Sequence, residues 1–176
     1  SLFAVAGGTG AVLMGTFSKT LATGLRVGWI MGEKPVIDAV TRMRFDMGVS
    51  PWTTRVIAEY CTSGEYEAHV PRMIEIYRRK RDAMLAAMDE RCSKFMRWSV
   101  PKGGFFVWAE LAEHVDPARL RITANEEAVG YVGGEAFFAG GDGANFVRLC
   151  YSNVAGRDIP EAIMRFGRAL ERAARD

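Results

Sequence analysis

The chain has 176 residues, about half of them apolar and a quarter charged, with a net charge of +2. That is enough for one large domain or two small ones, of ordinary globular composition. The near-neutral balance excludes an electrostatic draw towards nucleic acid or membrane, and no apolar stretch approaches the length of a membrane span.

Cys61, Cys92 and Cys150 are widely spaced and form no Cys-x-x-Cys pair, which argues against a disulfide framework or a metal site and suits a reducing cytoplasm. His69 and His114 stand alone in polar surroundings, too little company for a zinc site or a His-based triad.

Taken in order, residues 11–15 and 27–31 are short apolar runs bounded by glycines, the pattern of buried strands. Between them lies Gly15-Thr-Phe-Ser-Lys-Thr-Leu-Ala-Thr-Gly-Leu-Arg-Val-Gly-Trp29. Lys19 can form an imine with an aldehyde if its surroundings keep it partly neutral. Thr16, Ser18 and Arg26 can meanwhile hold a phosphate, the hydroxyls donating singly and the guanidinium as a fork. Aldehyde and phosphate together describe pyridoxal 5'-phosphate. The competing reading is a solvated turn lysine. A nucleotide-binding Gly-x-x-x-x-Gly-Lys pattern is excluded because no glycine directly precedes Lys19. Gly7-Gly-Thr-Gly10 is read as a plain turn.

Thr-Phe-Ser-Lys19 followed by Gly-Leu-Arg26-Val-Gly-Trp resembles the cofactor-lysine signature of class I/II aminotransferases, the aspartate-aminotransferase-like fold. The resemblance is strongest to the branch handling aromatic, branched-chain and 2-aminoadipate substrates. It implies that Lys19 carries the cofactor as a Schiff base and that Thr16, Ser18 and Arg26 bind the cofactor phosphate. Thr23 stands where many relatives have proline. The resemblance covers nearly all of the chain but only the C-terminal part of the family, and the absence of an initiating methionine also suggests a piece of a longer protein.

Further along, Pro35 at a first turn and the spacing of Val36, Ile37, Val40, Met43 and Met47 predict a helix over residues 35–46. Ser50 as N-cap with Pro51 behind it opens a second helix, striped by Trp52, Val56, Ile57 and Tyr60 and closed by Gly64. The longest helical pattern runs over residues 71–92. Its Arg78-Arg-Lys-Arg81 run points in all directions without aromatic interleaving, so a solvated helix surface is expected rather than a nucleic-acid patch. By resemblance this helix links the two domains of the fold: residues 1–70 a partial cofactor-binding large domain, residues 71–176 the linking helix and the small domain.

Residues 97–100 and 105–111 are strand candidates around the Pro101-Lys-Gly-Gly104 turn. Pro-x-Gly-Gly-Phe-Phe-Val-Trp resembles the family's entry to the small domain, though the glycines taken alone fit a tight hairpin equally well. A helix over residues 117–127 and a strand over residues 129–132 follow, then Gly134-Glu-Ala-Phe-Phe138, which resembles a family loop near the substrate. Residues 145–151 alternate, placing Arg148 on a face with Phe146 and Cys150. A charge on an apolar strand needs a partner. That partner is either a protein carboxylate or, as the resemblance of Phe-Val-Arg148-Leu-Cys-Tyr-Ser implies, the α-carboxylate of a substrate. Asp158, with Glu161 three residues on, predicts a capping box for a last helix striped by Ile159, Ala162, Ile163, Phe166, Ala169 and Leu170.

The expected class is therefore α/β: a partial, mostly parallel large-domain sheet plus a small α+β C-terminal domain. The resemblance implies transamination between an amino acid and a 2-oxo acid in a homodimer, with residues 47–52 crossing towards the partner; composition and charge add the expectation of a cytoplasmic protein with no metal, membrane or nucleic-acid partner. Two alternatives remain open: the aminotransferase-like effector module of a helix-turn-helix transcription regulator, and a lyase or synthase on the same scaffold. The chain by itself is expected to be inactive, since no residue here can be nominated for the ring-nitrogen acid, the ring-stacking aromatic or the phosphate-binding Gly-Ser/Thr turn.

Overall fold

The computed structural model describes residues 1–45 and 48–174. They fall into two compact units, Ser1–Ile74 and Glu75–Asp176.

The first unit starts with the short helix α1 (Leu2–Val5), then β1 (Leu13–Thr16) and β2 (Gly28–Met31). These two strands pair antiparallel, with Gly15 opposite Trp29 and Thr16 opposite Gly28. Helices α2 (Lys34–Arg42) and α3 (Pro51–Thr62) follow. Ser50 caps α3 as its residue type predicts, its hydroxyl accepting from the Thr53 N–H. The expected end of the preceding helix at Asp46, and Met47 at the start of the expected partner-facing loop, lie outside the described residues.

β1 and β2 are antiparallel members of a two-stranded sheet, and the expectation that both are buried is corrected, since neither is. Met14, Trp29, Ile30 and Met31 stay exposed, because an apolar strand is buried only when both sheet faces are covered.

Helix α4 (Glu65–Arg91) begins six residues before Pro71, which had been expected to open it. Glu65 and Glu67 occupy its first turn, where the helix dipole favours acids. Inside a helix, proline forfeits one backbone hydrogen bond without ending the element. The division between the two units falls within this helix.

In the second unit, β3 (Met96–Trp98), β4 (Phe106–Leu111), β5 (Val132–Gly133) and β6 (Phe146–Cys150) form an antiparallel sheet in the order β3-β4-β6-β5. Helices α5 (Pro117–Glu126) and α6 (Ile159–Ala173) complete it. One face of the sheet, with Val107, Ala109, Leu111, Val147 and Leu149, packs into a continuous core with Met84 and Met88 of α4, Leu120 of α5, and Ile159, Phe166 and Leu170 of α6. The period-two alternation of β4 and β6 puts the remaining side chains, Arg148 among them, on the opposite face.

Three local expectations differ here. The strand expected over residues 129–132 shrinks to Val132–Gly133, because Ala128 turns left-handed at φ 54° and the Val129 N–H bonds back to Ala124 O at the end of α5. No capping box opens α6. Asp158 ends a 3-10 turn with near-helical angles, so its side chain caps nothing and lies 3.6 Å from Arg157. Of the Arg78–Arg81 run, Arg78 and Arg79 are surface partners of Glu75, but Lys80 donates to Ser152 O at 2.9 Å and Arg81 to Pro101 O at 3.1 Å. Half of that cationic run therefore braces loops of its own unit.

Candidate active site

The turn between β1 and β2 is built by three local devices. Gly15 has no room for a side chain, since a Cβ there would meet the Trp29 ring at 2.3 Å. The Phe17 N–H bonds to Val27 O at 3.1 Å, and Phe17 O accepts from the Leu21 and Ala22 amides at 2.9 and 3.0 Å. Thr16 closes the turn from within: its Oγ1 accepts from the Ser18 N–H at 3.1 Å. Its single proton faces two acceptors, Ser18 Oγ at 3.0 Å and Val27 O at 3.2 Å.

When the Thr16 proton goes to Val27 O, the Ser18 hydroxyl can donate to Thr16; when it goes to Ser18, the Ser18 proton is left for an outside acceptor. Lys19 is exposed, and neither it nor Arg26 makes a side-chain hydrogen bond or ion pair among the described residues. Arg26 is one of only two described non-glycine residues with positive φ, at φ 51° and ψ 38°. A left-handed arginine costs on the order of 1 kcal/mol or more, and such strain clusters at functional sites. The stretch from Gly15 to Trp29 contains no Asp or Glu. A hydroxyl, an ammonium and a guanidinium in one acid-free turn suit an anion such as phosphate, and the amine suits an aldehyde.

Two supports of this turn were not legible in the sequence. Thr23 does more than relax the chain where relatives have proline: its hydroxyl donates to Ser18 O at 2.9 Å. Tyr66 of α4 donates to Thr20 Oγ1 at 2.9 Å, and its ring meets Phe17 edge-on at 5.9 Å. No local signal connects residues so far apart in the chain.

Arg148 lies in the other unit, in the middle of the outer sheet face, opposite Trp108 on β4 and Val132 on β5. Its guanidinium carbon stands 4.0 Å from the Phe106 ring centroid and 4.8 Å from that of Phe137. Its Nε is buried without a hydrogen-bond partner, and no carboxylate pairs with it among the described residues. The salt-bridge reading of this arginine is therefore not what the described residues form. Cys150 shares the face. Burial pushes its thiol up, but hydrogen bonds involving Ser152 and Asn153 and the Arg148 charge outweigh that and leave it below the ordinary thiol value.

The family profile described as aminotransferase class I and II matches residues 1–166. The chain belongs to the class I and II aminotransferases. It is 36% identical over 162 residues to aromatic-amino-acid aminotransferase 1 of Thermococcus litoralis, a match spanning 91% of this chain and 39% of that protein. It is 32% identical to the uncharacterised HTH-type transcriptional regulator YdfD of Bacillus subtilis, over 92% of this chain and 33% of the regulator. Among solved structures, the α-aminoadipate aminotransferase LysN of Thermus thermophilus, complexed with N-(5'-phosphopyridoxyl)-L-leucine, superposes with a TM-score of 0.87 at 34% identity. That match covers 97% of this chain and 44% of LysN. The chain thus spans less than half the length of each of these proteins.

Proposed function

We propose that the whole protein is a pyridoxal 5'-phosphate-dependent aminotransferase exchanging an amino group between an amino acid and a 2-oxo acid. The observation that carries this is the acid-free turn in which Lys19 and Arg26 have donors to spare and Ser18 can offer one. Family membership and the phosphopyridoxyl adduct held by the LysN relative support it. When bound, the cofactor supplies an aldehyde carbon and a ring that stores charge left by a departing proton.

The remaining tasks belong to this chain. Ser18 and Arg26 hold the phosphate, and Thr16 positions Ser18 by accepting from its backbone N–H. Lys19 attaches the cofactor through Nζ and, as the free amine, moves the substrate α-proton. Arg148 binds the substrate carboxylate as a fork. In this reading, residues 1–70 belong to the cofactor-binding domain and residues 71–176 to the linking helix and small domain of a cytoplasmic homodimer.

Borohydride reduction of the full-length holoprotein, followed by digestion, should leave a pyridoxyl adduct on the peptide containing Lys19. A label elsewhere, or no cofactor at all, would refute the assignment. The identity to YdfD favours one second reading, the aminotransferase-like effector module of a helix-turn-helix transcription regulator. An amino-acid-dependent conversion of a 2-oxo acid by the unaltered protein separates the two.

A further inference from the structure

Arg148 presents a physical problem. A guanidinium on a half-buried apolar sheet face needs compensation for lost hydration, and two acids on neighbouring segments are engaged elsewhere. Glu110, on the same face of β4 and two residues from the Arg148 partner Trp108, accepts from Asn145 Nδ2 at 3.2 Å. Glu135, just before Phe137, accepts from Arg121 at 2.9 Å.

We infer that Phe106 and Phe137 are positioning residues that hold the Arg148 guanidinium by their ring faces in place of a protein counter-ion, keeping its N–H groups free to fork a substrate carboxylate. This rests on the carboxylate-binding reading of Arg148 given above. Both rings lie well inside the roughly 6 Å at which an aromatic face attracts a cation. The attraction comes from the ring quadrupole and uses none of the N–H donors, whereas a protein Asp or Glu would consume the same fork the substrate needs. The Arg148 Nε is buried without a partner, and no side-chain hydrogen bond or ion pair engages the guanidinium among the described residues.

The rings themselves are fixed. Phe137 meets Trp108 edge-on at 5.4 Å, and Trp108 stacks on Phe146 at 5.4 Å and on Phe138 at 6.3 Å. Phe106 is met edge-on by Phe105 at 6.4 Å, which in turn meets Tyr77 at 5.1 Å. An aromatic floor of this kind leaves the guanidinium little freedom to turn away.

The test uses the full-length holoenzyme and two probes: L-leucine, the amino acid carried by the adduct in the LysN relative, and 3-methylbutylamine, the same skeleton without a carboxylate. Phe106→Leu and Phe137→Leu should each raise KM for L-leucine about tenfold, with kcat changed far less. Binding of 3-methylbutylamine, read from the cofactor absorbance, should not move. Mono-, di- and trifluorinated phenylalanine at position 106 weaken the ring quadrupole with little change of shape, so KM for L-leucine should climb in steps along the series. This series also covers the case in which a leucine variant fails to fold. A flat series, or equal losses for L-leucine and the amine, would overturn the inference while Arg148→Lys still loses L-leucine. An Arg148→Lys variant that keeps wild-type KM for L-leucine would overturn the carboxylate reading beneath it.

Discussion

The Tyr66 hydroxyl donates to Thr20 Oγ1 at 2.9 Å, tying the residue after Lys19 to a helix 46 residues further along the chain. Tyr66→Phe keeps the edge contact with Phe17 and removes only this bond. The loss should be about 1 kcal/mol. We expect the Lys19 adduct to form still, with cofactor lost roughly fivefold faster on dialysis. An unchanged release rate would mean the bond does not steady the turn.

Gly15→Ala drives a methyl into the Trp29 ring. Overpacking of this kind costs roughly 1–3 kcal/mol, and here it falls on the strand end that carries Thr16. The variant should unfold at lower temperature. The double variant Gly15→Ala/Trp29→Leu should recover part of the loss. Equal melting of the two variants would place the strain elsewhere.

Arg26→Gly sets stability against binding. Glycine adopts φ 51° freely, so the change should relieve on the order of 1 kcal/mol of backbone strain. It also removes the guanidinium proposed for the phosphate. The melting temperature without cofactor should hold or rise while cofactor affinity falls at least tenfold. Arg26→Lys, which keeps the charge and loses the fork, should fall between the two in affinity.

Cys92 contributes to the alkaline limb, beside Tyr131 and Tyr151, which burial also pushes up. Burial pushes its thiol from 9.0 up to about 12. Below pH 9 the folded and unfolded chains both keep the proton, so the contribution to stability is complete. As pH rises towards 12, the unfolded chain releases a proton that the folded one retains, and the contribution is lost. Urea midpoints should therefore decline above about pH 9, and Cys92→Ala should flatten that slope. The same thiol should resist alkylation in the folded state, while Cys150 reacts first.

The sequence was most informative where chemistry is local. Thr16, Ser18, Lys19 and Arg26 form one turn because the residues between them close it, and Arg148 falls on the outer face because strand alternation has a fixed period. Caps were less uniform: Ser50 caps α3, but Asp158 caps nothing because a 3-10 turn precedes it. The burial of β1 and β2 was misjudged because an apolar run reports only what a strand could bury. Whether it is buried depends on layers that must cover it. The contacts of Phe106, Phe137 and Tyr66 were hidden for another reason. Cross-strand diagonals and contacts between distant elements leave no periodic trace in the chain.

The Thr16–Val27 hydrogen bond joins residues only 11 apart, and the strand pair around it closes with the same short reach. Loop-closure entropy for such a span is small. Hairpins of this size assemble in roughly 1–10 μs, long before pairings between remote segments. The turn between β1 and β2 should thus take shape early in folding, ahead of the four-stranded sheet that carries Arg148, whose β3–β4–β6–β5 order requires strands from across residues 96–150 to meet. A chain still completing its fold would then present Ser18, Lys19 and Arg26 together before the sheet that carries Arg148 has closed.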